Sequence, residues 1–348
     1  MRRSPLVVLS LLVVSARAPA QGEAGPLERL PDSAWTREAA AHLLRRAGFG
    51  GSSAEIDALH RLGLAGAVDR LVDFESIDDY AGVRRLGAGG MGEVYLVVRK
   101  ATGELAALKA LRRCDRSGAE SIVRFCREAR TGHLLDHPNV IRYLDTGYAR
   151  GLHYLVLEYG GGRTVRDVLV HKGRLGVRLG IQVAYQVSKA LEHALTHDVV
   201  HRDIKPENIL IDRTKTVRLL DLGLAKSMSE SGLSGVTRPG TVLGSLAYSA
   251  PEQLEDARRA DHRSDIYSLG VVLYEMVSGR RPIAGHSPAE IVSAVMSGRY
   301  SSIRDVAPDA PEELERILAR AMARRPEDRY PDPTEMGAAL KALYASLE

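Results

Sequence analysis

The sequence predicts an α+β chain: a small five-stranded antiparallel sheet with one helix, then a larger and mainly helical part, the whole preceded by a short helical appendage. Three observations predict it. Beyond Ile77, short β-branched runs alternate with turns. One charged helical segment, Ser121 to Leu135, interrupts those runs. After Gly160-Gly161-Gly162 the apolar residues recur at helical spacing to the end of the chain. Strands gathered first and helices afterwards give α+β order rather than an alternating parallel sheet.

In chain order, residues 1–20 have the form of an export signal: Arg2 and Arg3, an apolar run from Leu6 to Val14, then Ala18-Pro19-Ala20 as a small-residue cleavage site. The run falls short of the about 20 apolar residues that a membrane-spanning helix needs, so a cleaved signal is expected and no transmembrane span. Residues 21–76 form the appendage, with two amphipathic patterns, Arg37 to Ala47 and Ser53 to Val72, parted by Gly48-Phe49-Gly50-Gly51. The string beginning Trp35-Thr36-Arg37-Glu38 resembles the start of a bacterial family of exported proteins of unknown function; the likeness covers residues 35–74 and brings no catalytic residue with it.

Strands are expected at Ala81 to Leu86, Glu93 to Arg99, Leu105 to Leu111, Tyr143 to Tyr148 and His153 to Glu158. The main helices are expected at Val177 to His197, Asp265 to Ser278, Ala289 to Ser297, Glu312 to Ala323 and Thr334 to Leu347.

At 348 residues, with 45% apolar and 26% charged side chains, the chain has the composition of a globular protein rather than a disordered one. Its formal charge of +4 is spread among interleaved acids and bases, so nucleic acid is not indicated as a partner. Cys114 and Cys126 lack both a disulfide framework and metal-ligand spacing, and read as reduced thiols. His193, His197 and His201 recur every fourth residue and would share a helix face, which raises a metal site; against it, His201 opens a different motif.

Gly87-Ala88-Gly89-Gly90-Met91-Gly92-Glu93-Val94 places a glycine-rich turn between two strands, where backbone N–H groups can approach phosphates. Such a turn is also common as plain structure. A dinucleotide-binding loop would open a helix, whereas this one continues as a strand. Lys109 ends an apolar strand, where an unpaired ammonium would be costly, and Glu128 on the following helix stands where a carboxylate partner is needed. The most specific string is Val200-His201-Arg202-Asp203-Ile204-Lys205-Pro206-Glu207-Asn208-Ile209-Leu210, followed eighteen residues after Asp203 by Asp221-Leu222-Gly223. Two carboxylates and an amide at this spacing suit orientation of an attacking hydroxyl and retention of Mg²⁺ against phosphates.

With these motifs the chain resembles the eukaryotic-type serine/threonine protein kinases of bacteria, over about Asp78 to Leu347. The resemblance implies the two-lobed kinase fold across residues 77–348, with a small lobe at 77–159 and a large lobe at 160–348. It implies ATP as cosubstrate, Mg²⁺ as metal, and Ser/Thr-bearing proteins as substrates. Asp203 becomes the catalytic base and Lys205 steadies the γ-phosphate; Asn208 and Asp221 bind Mg²⁺; Lys109, paired with Glu128, holds the α- and β-phosphates. Leu86, Val94, Ala107 and Leu210 sandwich the adenine, the backbone of Glu158 and Gly160 bonds its edge, and Leu157 is the gatekeeper. Arg202 receives an activation-loop phosphate, for which Thr237 and Thr241 are the expected sites, and self-association would serve autophosphorylation. Glu252 is expected to pair with Arg329, and Asp265 to brace the catalytic loop. Leu222 in place of phenylalanine, Ser245 in place of threonine and Ala106-Ala107-Leu108 in place of Val-Ala-Ile are the departures, and none removes a charge or a required hydroxyl. The competing reading is a pseudokinase scaffold, whose usual mark, loss of one of the charged site residues, is missing here. ATP dependence places the working domain in the cytoplasm, against the export-like start at Met1–Ala20.

A chain beginning at Ser76 is expected to fold and to transfer phosphate, since residues 1–75 carry none of these motifs. Steady-state kinetics of the two lengths check it; a loss of more than about tenfold in kcat/KM would show that the appendage supports the site.

Overall fold

The computed structural model describes residues 36–46, 53–61, 76–77, 79–88, 92–111, 125, 129–149, 152–221, 245–285 and 287–347. They fall into two compact units. The first takes its described residues from Met1–Gly89, Glu93–Leu108 and Ala149–Gly151, the second from Gly90–Gly92, Lys109–Tyr148 and Leu152–Glu348.

In the first unit, α1 (Arg37–Arg46) and α2 (Ser53–Arg61) form a helical pair. Thr36 Oγ1 accepts the Ala39 N–H at 3.2 Å and so caps α1. Ala40 and Ala41 are buried, while Arg37 reaches to Asp57 Oδ1 at 2.5 Å and to Ser53 Oγ at 2.6 Å on the exposed side. Both ends of that ion pair are water-exposed, so packing rather than charge joins the two helices. Strands β1 (Ser76–Ile77), β2 (Tyr80–Ala88), β3 (Gly92–Arg99) and β4 (Leu105–Leu111) are successive sheet neighbours. β2 and β3 pair antiparallel from Tyr80↔Arg99 to Ala88↔Glu93, with register breaks between Gly82 and Arg84 and between Arg85 and Gly87. Such breaks bend a hairpin and increase its twist.

The second unit begins where β4 ends, at Lys109-Ala110-Leu111, and holds the adjacent strands β5 (Tyr143–Ala149) and β6 (Leu152–Glu158). A three-stranded sheet follows, made of β7 (Arg163–Thr164), β8 (Ile209–Ile211) and β9 (Val217–Leu219). Its helices are α3 (Val165–Lys172), α4 (Val177–Leu195), α5 (Pro251–Glu255), α6 (His262–Ser278), α7 (Pro288–Ser297), α8 (Ile303–Val306), α9 (Glu312–Ala321) and α10 (Pro333–Ser346). α3 starts in a capping box: Thr164 Oγ1 accepts the Asp167 N–H and Asp167 Oδ2 accepts the Thr164 N–H. α4 buries Ile181, Ala184, Val187, Ser188 and Leu191, the stripe of an amphipathic helix. α6 is buried from Ser264 to Val277 on all sides and forms the centre of the core. Asp261 Oδ1 accepts the Arg263 N–H at its start, and the Gly279 N–H donates to Glu275 O at its end.

All five expected strands form, each within two residues of its expected bounds, and the two-residue β1 and the short strands β7, β8 and β9 are additions. The helix expected over Ser121 to Leu135 lies largely outside the described residues, with 129–132 helical at its end. The second appendage helix is described to Arg61, and residues 62–72 lie outside. α4 stops at Leu195, short of His197, and α6 begins three residues before Asp265 because Asp261 supplies its cap. α3, α5 and α8 are helices that periodicity does not reveal, each being too short to show a repeating face.

One ion pair locks α5 to the turn after α9. Arg329 donates from Nη1 to Glu252 Oε1 at 2.7 Å and from Nη2 to Oε2 at 2.8 Å, with side-chain exposures of 0% and 9%. The guanidinium also donates to Ala323 O, Arg263 O and Arg324 O, so all five of its N–H bonds are used. Ser264 Oγ donates to Glu252 Oε1 at 2.6 Å. Burial alone would push the Glu252 carboxyl up, but Arg329 and Ser264 hold it below the usual range. Arg329→Met would leave a buried carboxylate unpaired and is expected to cost about 3–5 kcal/mol, read by urea unfolding at neutral pH. Because the folded-state pKa of Glu252 is depressed, the pair's stabilisation is complete above the ordinary glutamate range and is lost as pH falls through the folded value. The gap between wild type and variant is therefore expected to narrow in acid.

Candidate active site

The loop from His201 to Asn208 is held by a carboxylate buried beneath it. Asp265, 2% exposed on α6, accepts the His201 N–H at 2.8 Å through Oδ2 and the Arg202 N–H at 2.7 Å through Oδ1. Burial pushes the Asp265 carboxyl up, against the opposing pull of His201 and the two peptide N–H groups. Arg202 sits at φ 65°, a left-handed conformation that an arginine adopts only when held. Gln253 Nε2 donates to the Arg202 carbonyl at 3.2 Å from the other side. His201 is fully buried; its Nδ1 accepts the Asp203 N–H at 3.2 Å, which leaves the ring proton on Nε2 to be donated to Leu220 O at 2.9 Å. One imidazole thus joins the loop to the chain just before Asp221.

Asp203 Oδ2 accepts from Lys205 Nζ at 2.6 Å and from Asn208 Nδ2 at 3.1 Å. Asn208, on the 3₁₀ turn Pro206–Asn208, also donates from Nδ2 to Asp203 O at 2.8 Å. Both amide hydrogens being used within the loop, what Asn208 has to offer a ligand is its side-chain oxygen. Asp221, at φ 44°, accepts from Lys109 Nζ at 2.7 Å through Oδ1. Partial withdrawal from water, at 43% side-chain exposure, and the charge of Asp203 would raise the Asp221 carboxyl; the Lys109 ammonium, by charge and hydrogen bond, outweighs both and holds it below the usual carboxylate range. Lys109 is itself buried, as its place at the end of an apolar strand predicts. Its expected partner Glu128 lies outside the described residues; among the described residues Lys109 meets Asp221.

At the end of β6, Leu157 is buried and the Glu158 N–H donates to Arg142 O at 2.9 Å. A Cβ on Gly160 would lie 2.2 Å from Leu210 Cδ2, so the glycine allows backbone and leucine to touch. Lys109, Leu157, Glu158, Gly160, Asp203, Lys205, Asn208, Leu210 and Asp221 all belong to the second unit. In the first unit, Leu86 is exposed on β2, Gly87 pairs with Val94, Ala88 pairs with Glu93, and Ala107 is half-buried on β4. Glu93 accepts the Tyr95 O–H at 2.6 Å. Gly92 opens β3, while Gly89, Gly90, Met91, Thr237 and Thr241 lie outside the described residues.

Two polar clusters beside the loop escaped sequence reasoning. Arg166 on α3 donates to Glu207 Oε1 at 2.8 Å, to Glu275 Oε1 at 3.0 Å and to Tyr248 Oη at 2.5 Å, and Tyr248 in turn donates to Glu275 Oε2 at 2.5 Å. Ser268 Oγ on α6 donates to Tyr248 O at 2.7 Å. The second cluster joins Arg218 to Glu158 and Asp212. Glu207 lies inside the recognised string, but no spacing rule connects it to residue 166 or 275. The histidine series does not hold together: the His193 and His197 rings lie 4.7 Å apart with His137 stacked at 5.1 Å on His193, while His201 is in the loop. Among the described residues no three His, Cys, Asp or Glu side chains converge to hold a metal, and no helix is long and apolar enough to cross a membrane.

The protein kinase domain family matches residues 80–340. Among curated proteins the chain is 35% identical over 265 residues to serine/threonine-protein kinase PrkC of Bacillus subtilis, covering 76% of this chain and 40% of that one. It is 36% identical over 270 residues to serine/threonine-protein kinase PknB of Mycobacterium tuberculosis, covering 74% and 42%. The chain therefore spans about two fifths of the length of these relatives.

Asp265→Asn would set an amide NH₂ against one of the two loop N–H groups. It is expected to lower stability by roughly 1–3 kcal/mol, measured by denaturant unfolding. If the loop performs the chemistry, kcat is expected to fall more than the KM for nucleotide rises.

Proposed function

The chain belongs to the protein kinase family, and from that premise we propose that it transfers the γ-phosphate of ATP to serine and threonine hydroxyls of proteins. The observation that carries the reading is the single hydrogen-bonded set that joins Asp203, Lys205 and Asn208 in one loop, with Lys109 and Asp221 paired beside it. Asp203 is assigned as the group that orients the substrate hydroxyl and accepts its proton. Lys205, 2.6 Å from Asp203, is assigned to the γ-phosphate, and Lys109 to the α- and β-phosphates. Family members use ATP with a divalent metal, and we assign Mg²⁺. The fit rests on donor chemistry: the Asn208 side-chain oxygen and an Asp221 carboxylate kept ionised are hard oxygen ligands, and Mg²⁺ takes one or two such groups beside substrate phosphates. The bound metal would neutralise charge developing on the transferred group.

For the base, the Glu158 N–H is engaged by Arg142 O, so residue 158 offers its carbonyl, an acceptor that suits the amino group of adenine. Gly160 supplies backbone beside Leu210, and Leu157 stands as gatekeeper. Leu86, Val94 and Ala107 are assigned to the adenine and Gly87 to Glu93 to the phosphates. Glu128 is assigned to Lys109 in the active state. Arg202 Nε is buried without a hydrogen-bond partner among the described residues, which supports its assignment to a phosphate on the 221–252 segment, at Thr237 or Thr241, placed there by a second copy of the chain. Residues 1–20 are assigned as an export-type leader, 21–76 as appendage and linker, and 77–348 as the kinase domain, working in the cytoplasm where ATP is.

Purified protein incubated with radiolabelled ATP, Mg²⁺ and a generic basic protein tests the reading. Lys109→Met, Asp203→Asn and Asp221→Ala are each expected to lower transfer by about 10²- to 10⁴-fold with far-UV circular dichroism unchanged. Undiminished transfer by Asp203→Asn would overturn the assignment of the base.

A further inference from the structure

Arg218 stands on β9 opposite Leu210 of β8, three residues before Asp221. Its Nε lies 3.0 Å from Glu158 Oε1 and its Nη1 3.0 Å from Asp212 Oδ2. All three side chains are largely withdrawn from water, with exposures of 24%, 22% and 17%, so their attraction is screened less than that of a surface pair. Each end of this bridge is fixed independently. Asp212 Oδ1 accepts the Thr214 N–H at 2.8 Å, the Thr214 O–H at 2.6 Å and the Thr216 N–H at 3.0 Å. Glu158 is tied through its N–H to Arg142 O and lies 3.6 Å from Arg142 Nη2. β9 is anchored by Leu219, which donates to Asn139 O and accepts from the Ile141 N–H, and Leu220 donates to Asn208 O.

We propose that Arg218 is a positioning residue for the nucleotide: one guanidinium fixes the strand end that meets the base, through Glu158, relative to the strand that delivers Asp221. The proposal rests on the kinase reading above and adds to it a residue outside every motif of the sequence. Arg218 touches neither nucleotide nor metal. It acts because the Glu158 carbonyl can meet a nucleobase only if the Glu158 peptide stays in plane and in place, and the side chain of the same residue is the lever that the guanidinium holds. The planar fork matters, since Nε and Nη1 serve two carboxylates at once; lysine would bring a point charge and no fork.

The test compares Arg218→Met, Arg218→Lys and Glu158→Gln with wild type, by steady-state kinetics in ATP and by calorimetric binding of adenosine, which has the base and no phosphates. Arg218→Met is expected to raise the KM for ATP and the Kd for adenosine about tenfold while kcat stays within about threefold. Arg218→Lys is expected to recover part of that loss. Glu158→Gln should reproduce it, and the double variant Arg218→Met, Glu158→Gln should be no weaker than either single one, because both remove the same bridge. Unchanged adenosine affinity in Arg218→Met, or a lowered Tm with KM intact, would overturn the proposal and leave the kinase reading standing. Wild-type protein that neither binds ATP nor transfers phosphate would overturn both.

Discussion

The loop from His201 to Asn208 depends on one buried carboxylate. Asp265 faces two consecutive peptide N–H groups from beneath, and those hydrogen bonds hold Arg202 in a backbone conformation that would cost about 1–3 kcal/mol if unsupported. The rest follows in sequence along the chain. Arg202 turned left-handed sends Asp203 to the loop's open side, where Lys205 and Asn208 meet its carboxylate, and His201 is turned inward to reach Leu220 O. A surface side chain could not do this work, because water would compete for both peptide groups and screen the charge.

Charge in the site is arranged in opposed pairs. Lys109 faces Asp221 and Lys205 faces Asp203, so no ionised group at the centre is left facing only its like. The consequence shows at Asp221, which stays ionised despite the neighbouring Asp203. An ionised carboxylate is a hard oxygen donor, and a lysine ammonium carries three N–H bonds.

Sequence alone made the strands, the long helices and the catalytic string legible, because these rest on local patterns: alternation of apolar residues, caps, and fixed spacing of polar groups between apolar segments. The pairing of Lys109 with Glu128 falls outside the described residues, while the contact of Lys109 with Asp221, 112 positions away, is one that local spacing cannot show. The Arg166 cluster and the Arg218 bridge were not legible for the same reason. Each joins residues from three separate elements, and an arginine on a strand or at a helix start looks in sequence like any solvated charge. The regular histidine spacing brings the His193 and His197 rings together, while His201 belongs to the loop, as its place at the start of the recognised string indicates.

Four polar side chains of α6 reach out to neighbouring segments. Ser264 reaches Glu252, Asp265 reaches His201 and Arg202, Ser268 reaches the Tyr248 carbonyl, and Glu275 reaches Tyr248 and Arg166. The helix is therefore a gauge, whose rise of about 1.5 Å and turn of about 100° per residue fix where the loop at His201 and Arg202 and the chain from Tyr248 to Glu252 can stand. A gauge tolerates replacement of its unmarked divisions but not a change in their number. One residue inserted between Ser268 and Glu275 would leave Asp265 under its loop and swing the glutamate about 100° away from Tyr248, so the length of this helix matters to its neighbours as much as its side chains do.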